Sequence, residues 1–329
     1  MRKLNVLSLC DGMSCIQMAL EKAEIPVENV FAAEIKEHAI RITKHNFPKT
    51  IHIGDVNKVS YKNGVLYTEN ESYETPIDLV VFGSPCQSVS RAMTPDKRVG
   101  LEDKIRSGLF FECHRILREV NPEFFLMENV IMKPEDERVI TELMGVNPVR
   151  INSALVTAQL RDRLYWTNIP TTIPTDKHIK LSDILIDGYS PWDKARCLMA
   201  NDSHGYYNGC NWTPIKRFHR TVYKNFSTMI FPDKETYENC LKIANGILKG
   251  RTPRAEYFDE YVGDAFDSLR YLWKEERAKL QTVPLKYVEI MTEKEAADLC
   301  GDGWTVDVIA HILKGIKEPV KKHSIGLLR

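Results

Sequence analysis

The chain has 329 residues, 43% of them hydrophobic, with 45 basic side chains balanced by 45 acidic ones. That length suits one large or two modest domains, and no apolar run reaches the roughly 18 residues of a membrane span. A net charge of zero removes any global electrostatic case for nucleic-acid binding, so such a site has to be a local patch. The eight cysteines show no CxxC pairing, so reduced thiols in a cytosolic compartment are expected, with no metal site and no disulfide framework. The start, Met1-Arg2-Lys3-Leu4-Asn5, runs straight into a strand, and no signal peptide is expected.

In chain order, the first strand is predicted at Asn5–Leu9, followed by an Asp11-Gly12 turn. A helix from about Ser14 to Ala23 follows, with Ile16, Ala19 and Leu20 on one face. Val30–Ala33 is the second strand and ends in Glu34; a helix then runs to about His45. Thr50–Ile53, ending at Gly54-Asp55, and Ile77–Phe82 are the third and fourth strands. A helix at Leu109–Val120, with Ser107 as its N-cap, leads to the strand Phe124–Met127. Val149–Leu155 and Leu164–Thr167 form an antiparallel pair. Strand-helix alternation at this spacing predicts an α/β fold built on a doubly wound, mostly parallel, Rossmann-like sheet. The pattern stops near Ile169-Pro170. Residues 171 to about 265 are polar and irregular, with Tyr206, Tyr207, Trp212, Lys216, Arg217, Phe218, His219 and Arg220 mixing rings and bases. Regular structure returns at Ser268 and closes with a helix at Val306–Ile316. The expected organisation is a catalytic domain over 1–169, a smaller irregular domain over 170–267, and a return segment over 268–329.

A strand, an Asp-Gly turn and a helix make the geometry that seats a nucleotide-like ligand at the C-terminal edge of a parallel sheet. Glu34 lies 22 positions after Gly12, where such sites place a carboxylate on ribose hydroxyls. The turn reads Cys10-Asp11-Gly12-Met13-Ser14-Cys15 and lacks both GxGxxG and a P-loop. An adenosine ligand without phosphates fits, which points to S-adenosylmethionine.

Three polar clusters stand at strand edges: Phe82-Gly83-Ser84-Pro85-Cys86-Gln87, Met127-Glu128-Asn129-Val130, and Gln159-Leu160-Arg161-Asp162-Arg163 before Leu164-Tyr165-Trp166. In this order they resemble the cytosine-C5 DNA methyltransferases, and the first turn resembles that of the animal de novo enzymes, with Cys10 where the family usually has Phe. The resemblance implies a methyltransferase sheet, S-adenosylmethionine as cofactor and a target-recognition domain in the middle segment. It implies Cys86 as nucleophile toward C6, Glu128 on N3 and the exocyclic amine, and Arg163 on O2 with Arg161 beside it. Strand alternation is expected to aim Gln159, Arg161 and Arg163 the same way. Around the cofactor it implies Cys10, Asp11, Gly12, Met13, Glu34, Ile35, Val56, Pro85 and Leu109, with Asp55 on the adenine amine. Gly301-Asp302-Gly303-Trp304-Thr305-Val306 resembles the last motif and brings Asp302 and Trp304 to that pocket; the family commonly has Asn in place of Asp302. Arg270-Tyr271-Leu272, Glu276, Leu280-Gln281 and Pro284 resemble the ninth motif.

The loop from Gln87 to Lys104, carrying Arg91, Lys97, Arg98 and Lys104, is expected to be a lid over phosphates. Gln87, Ser90, Arg91 and Gln159 are the expected substrate contacts. The expected function is a DNA (cytosine-5-)-methyltransferase acting on flipped cytosine in double-stranded DNA. A monomer is expected in the cytoplasm of a bacterial or phage-infected cell, associated with the nucleoid. The alternatives are an inactive DNA-binding regulatory homologue and an RNA cytosine-C5 methyltransferase. The transfer-RNA enzymes' Cys-Phe-Thr signature is absent, as is the Pro-Pro-Tyr or Pro-Pro-Trp of amino-methylating enzymes.

Overall fold

The computed structural model describes residues 2–84, 108–200, 206–207, 210–211 and 213–317. The chain divides into two compact units, one of Met1–Asn152, Asp162–Pro174 and the chain from Val306, the other of Ser153–Arg161 and Thr175–Thr305.

The first unit is built on a seven-stranded sheet. Its strands are β1 (Leu4–Leu9), β2 (Val27–Ala33), β3 (Ile51–Gly54), β7 (Leu79–Phe82), β8 (Phe124–Val130), β9 (Val149–Asn152) and β10 (Asp162–Thr167). A separate three-stranded meander, β4 (Ser60–Lys62), β5 (Val65–Tyr67) and β6 (Ser72–Glu74), lies between β3 and β7 in sequence. The large sheet runs β3-β2-β1-β7-β8-β10-β9. The pairs among β1, β2, β3, β7 and β8 are parallel, and β10 is antiparallel to both of its neighbours. This is the doubly wound α/β sheet expected, with its order reversing between β1 and β7, the place where such sheets open a ligand crevice.

Residues two apart on each strand share one face. Leu7 and Leu9, Phe31 and Ala33, Val80 and Phe82, and Phe125 and Met127 all enter one buried cluster with α3 (Gly108–Val120) and α4 (Pro134–Met144). Helices α1 (Cys15–Lys22) and α10 (Val306–Leu313) pack on each other, and Lys22 pairs with the buried Asp307. Helix α2 (Glu37–Asn46) connects β2 to β3.

Two elements of this unit escaped the sequence reading although each carries a signal. Asn63 and Gly64 both take positive φ between β4 and β5, the hairpin turn that an Asn-Gly pair encodes. Helix α4 starts at Pro134, has Glu135, Asp136 and Glu137 in its first turn, and ends at left-handed Gly145, the expected start and stop chemistry. The strand predicted at Val149–Leu155 stops at Asn152, and Ser153–Leu155 is a 3-10 turn. The Ser107 cap lies outside the described residues.

The second unit is more regular than its polar sequence suggested. It holds α5 (Pro214–Val222), α6 (Lys234–Leu248), α7 (Lys274–Leu280), α8 (Leu285–Val288) and α9 (Glu293–Asp302), with the short ladders β11 (Tyr206–Tyr207) to β12 (Cys210–Asn211) and β13 (Met229–Ile230) to β14 (Arg270–Tyr271). Aromatic side chains build its core: Phe218, Phe231, Phe258 and Phe266 pack with Ile215, Met229 and Leu248. A few large rings bury as much area as a longer aliphatic stripe, so the segment folds without the long apolar runs by which the sheet announces itself. The division also departs from the expected domain boundaries. Residues 153–161 join the second unit, and the chain re-enters the first at Val306 rather than at 268, because α7 packs on α9.

Candidate functional site

Register alone assembles the site. Leu9 pairs with Ala33 on one side and Phe82 on the other, Phe82 pairs with Met127, and Ala33 pairs with Gly54. The next residue on each strand is therefore delivered to the same C-terminal sheet edge: Asp55, Glu34, Cys10, Gly83 and Glu128.

On the β1 side the turn is tightly wound. Cys10, Gly12 and Ser14 all take positive φ, at 56°, 58° and 57°, so the chain can reverse between strand and helix in few residues. Glu34 closes this edge. Its Oε2 accepts the Gly12 N–H at 2.7 Å, and its Oε1 accepts the N–H groups of Ile35 and Lys36 at 2.8 and 2.9 Å. The Asp11 N–H donates to the Ala33 carbonyl at 3.0 Å. Beyond Glu34, the Ile35 side chain is 70% exposed, an apolar face left open at a polar edge. Asp55 accepts from the backbone and side chain of Asn57, holding the turn in which Val56 is buried. Met13 is buried, and Leu109 and Cys10 pack against the main core. A hydrogen bond with Cys10, together with burial, pushes the Cys113 thiol well above the usual range.

Two buried groups at this edge were not read from sequence in these terms. Asp11 receives the Ser8 hydroxyl on Oδ1 at 2.5 Å, while its buried Oδ2 has no hydrogen-bond partner among the described residues. Burial pushes its carboxyl up to about 7; the Ser8 and Ser14 hydroxyls pull the other way, and the charge of Glu34 adds to the rise. His52, on β3, has both ring nitrogens buried and unpartnered among the described residues. Burial holds its imidazole below the ordinary value, Lys44 adds to that, and Glu34 opposes it.

On the β8 side, Glu128 is 8% exposed and Arg163 donates to it through Nε at 2.9 Å. Arg163 also donates through Nη1 to the carbonyl of Asp162 at 2.9 Å. Next to Glu128, the buried Asn129 donates through Nδ2 to the Ser84 hydroxyl at 3.2 Å and accepts the Val130 N–H on Oδ1. Asn129 thus ties the strand bearing Glu128 to the segment that leads into Pro85 and Cys86. Pro85, Cys86, Gln87, Ser90 and Arg91, and the loop to Lys104, lie outside the described residues.

Gln159 and Arg161 do not follow the alternation expected of them, because β10 begins only at Asp162. Both side chains find partners inside the second unit. Arg161 donates to the carbonyls of Gly301 at 3.1 Å and Gly303 at 2.8 Å. Gln159 donates to the Leu280 carbonyl and accepts the Leu198 N–H. Gln281 donates to the carbonyls of Cys300 and Gly303 and accepts the Thr305 hydroxyl, which also contacts Ser153. Nearby, Lys194 satisfies the carbonyls of Ala154, Thr157 and Ile179. The turn carrying Asp302 and Trp304 is held by this buried network. Among the described residues no group of three or more His, Cys, Asp or Glu could hold a metal ion, and no helix is long and apolar enough to cross a membrane.

Residues 4–143 match the family model of C-5 cytosine-specific DNA methylase. Type II methyltransferase M.NgoBV of Neisseria gonorrhoeae is 35% identical over 135 residues, 40% of this chain and 28% of that protein. Orphan methyltransferase M.SPRI of Bacillus phage SPR is 36% identical over 132 residues, 40% of this chain and 27% of that protein. The chain therefore spans less than a third of the length of either relative. Among solved structures, a mutant of Spodoptera frugiperda DNMT2 superposes with a TM-score of 0.60 at 19% identity, covering 96% of this chain and 100% of that one, a likeness of fold.

Proposed function

We propose, on the premise that residues 4–143 form a C-5 cytosine-specific DNA methylase domain, that this chain methylates C5 of cytosine in double-stranded DNA, with S-adenosylmethionine as donor. The observation that carries the proposal is the Glu128–Arg163 pair at 2.9 Å, standing beside the Asn129–Ser84 link two residues before Cys86. A carboxyl and a guanidinium at one sheet edge, in a chain with a cysteine two residues after Ser84, suit a pyrimidine that must be attacked at C6 while held at N3 and O2.

The cofactor, when bound, supplies an electrophilic methyl group. Glu34 suits its ribose hydroxyls and the exposed Ile35 suits the adenine face; Asp55, Val56, Leu109, Pro85, Asp302 and Trp304 are further proposed cofactor contacts. Cytosine C5 is too electron-poor to react unaided. The Cys86 thiolate adds to C6 and forms the S–C bond, Glu128 engages N3 and the exocyclic amine, and Arg163 takes O2, so that C5 becomes the nucleophilic carbon. After transfer, C5 loses its proton and the S–C6 bond breaks, returning the thiolate. In a duplex C6 is stacked out of reach, so the target base has to be flipped. The second unit and the basic loop from Gln87 to Lys104 are the proposed DNA contacts, and the protein is proposed to act as a cytoplasmic monomer. The description of the matching family model, C-5 cytosine-specific DNA methylase, supports DNA over RNA.

The test is bisulfite sequencing of DNA from cells expressing the protein or its Cys86→Ala variant, with total RNA sequenced in parallel. Methylated cytosine at a defined DNA site in the wild type alone is expected, with a covalent adduct on 5-fluorocytosine DNA. Activity retained by the variant would overturn the covalent mechanism; methylation confined to RNA would overturn the substrate.

A further inference from the structure

We infer that Cys10 and Cys113 form a redox modification site: a peroxide joins them in a reversible disulfide, and the cross-link lowers affinity for the ligand seated at the β1 edge. The effect on affinity rests on the proposed cofactor reading of that edge; the disulfide does not.

The described cysteines are all free thiols, and they differ in their neighbours. Cys240 donates to the Ala265 carbonyl at 3.2 Å, and Cys197 accepts from Arg161 at 3.4 Å. Cys300 is buried, with Arg277 and Arg161 as the charged groups acting on it. Cys113 meets another thiol. It is buried on α3, in the cluster against which Cys10 packs, and it shares a hydrogen bond with Cys10. The two are far apart in sequence: Cys10 follows β1, and α3 is the helix before β8. The fold thus sets an accessible thiol against a buried one. Cys10 is half-buried at the sheet edge, and Cys113 is sealed in the core. A thiol open to small oxidants with a second thiol poised beside it is the arrangement of a redox-sensing pair.

The chemistry balances with a peroxide as oxidant. The Cys10 thiolate attacks the peroxide O–O bond; its sulfur takes one OH and becomes a sulfenic acid, and the other oxygen leaves as hydroxide, which is protonated to water. The Cys113 sulfur then attacks the Cys10 sulfur, the S–S bond forms, and the hydroxyl leaves with the Cys113 proton as a second water. Two thiols lose two electrons, and one peroxide is reduced to two waters. The Cys113 thiol is pushed up first by its hydrogen bond with Cys10 and then by burial. Oxidation of Cys10 to a neutral acid removes the first of these causes at the step in which Cys113 has to react. Bond formation then moves the edge. A disulfide brings its sulfurs to about 2.05 Å and its Cβ atoms to about 3.8 Å, closer than hydrogen-bonded thiols stand. Cys10 opens the turn in which it, Gly12 and Ser14 are all left-handed. Asp11 and Gly12 tie that turn to Ala33 and Glu34. Leu109 lies one turn before Cys113 on the same side of α3. The cross-link therefore pulls on both sides of the proposed cofactor edge.

The test treats the whole chain with hydrogen peroxide, alkylates the remaining thiols, and maps the digest by mass spectrometry. In the wild type the Cys10 peptide is expected linked to the Cys113 peptide, two hydrogens lighter than the pair, and released by dithiothreitol. In Cys113→Ala the resolving thiol is gone, so a Cys10 sulfenic acid should persist and be trapped by dimedone, which the wild type resists. Calorimetric titration with S-adenosylhomocysteine reads the consequence. Oxidised wild type should bind about tenfold or more weakly than reduced, with recovery in dithiothreitol. Cys113→Ala should bind within about threefold of reduced wild type both before and after the same dose of peroxide. No linked peptide, or Cys10 linked to a different cysteine, would overturn the site, and the wild-type map decides this even where the variant is unstable. A linked peptide with unchanged affinity, or an equal loss in oxidised Cys113→Ala, would overturn the effect on binding. Failure of the reduced wild type to bind S-adenosylhomocysteine would overturn the cofactor reading, and the effect on binding with it, while the map still decides the disulfide.

Discussion

Replacing Asp11 with Asn should stabilise the ligand-free protein, and do so only at higher pH. The carboxyl rises from an ordinary 3.8 to about 7 in the fold, chiefly through burial. A raised acid binds its proton more tightly folded than unfolded, so its ionisation opposes folding as pH climbs through that interval. The gap between 3.8 and about 7, at about 1.4 kcal/mol per pH unit, amounts to about 4 kcal/mol once pH exceeds 7. Asparagine keeps the shape and an acceptor for the Ser8 hydroxyl but never ionises. Urea unfolding followed by far-ultraviolet circular dichroism at pH 8, 6 and 4 reads the difference. The variant should exceed the wild type by about 2 to 4 kcal/mol at pH 8, by less at pH 6, and match it closely at pH 4. A gain of the same size at every pH would trace to packing rather than charge, and no gain at pH 8 would refute the account of a desolvated carboxylate.

Arg161→Met and Arg163→Met should diverge. The first strips the carbonyls of Gly301 and Gly303 of their donor and should lower thermal stability, costing about 2 to 4 kcal/mol in unfolding, with turnover kept by the molecules that stay folded; the second unpairs the buried Glu128, so it costs stability too, and it should in addition remove methyl transfer from the folded protein, measured as kcat on DNA. Equal loss of turnover at unchanged melting temperature in both would restore Arg161 to the base-contacting role expected from sequence. Gly12→Ala forces a side chain to φ +58° where no atom of the described residues comes within 4 Å of the Cβ, so its cost should be backbone strain alone, about 1 to 2 kcal/mol in a melt; a much larger loss would mean the turn carries contacts beyond its conformation.

Much of the site was written locally. The Asp-Gly turn and the carboxylate at Glu34 each announce themselves because strand ends in a parallel sheet share one edge, and a short apolar run fixes where each strand stops. The same logic failed for Gln159 and Arg161. Alternation presumes an extended chain, and the 3-10 turn at Ser153–Leu155 puts these residues outside β10 with partners far along the chain. Arg163, one residue inside the strand, kept its place beside Glu128. The hairpin at Asn63-Gly64 and helix α4 were legible from turn and cap chemistry and passed over in favour of hydrophobic periodicity.

By itself, then, the sequence determined the alternation of elements, the residue types capable of the chemistry and the edge at which they emerge, all consequences of interactions within a few residues. Which of those residues meet was decided by the tertiary structure. Strand order brings Arg163 to Glu128 from 35 residues away, long-range packing returns the chain to the first unit at Val306, and burial leaves one oxygen of Asp11 without a partner among the described residues. Burial and pairing depend on the whole set of neighbours, and no local pattern specifies them.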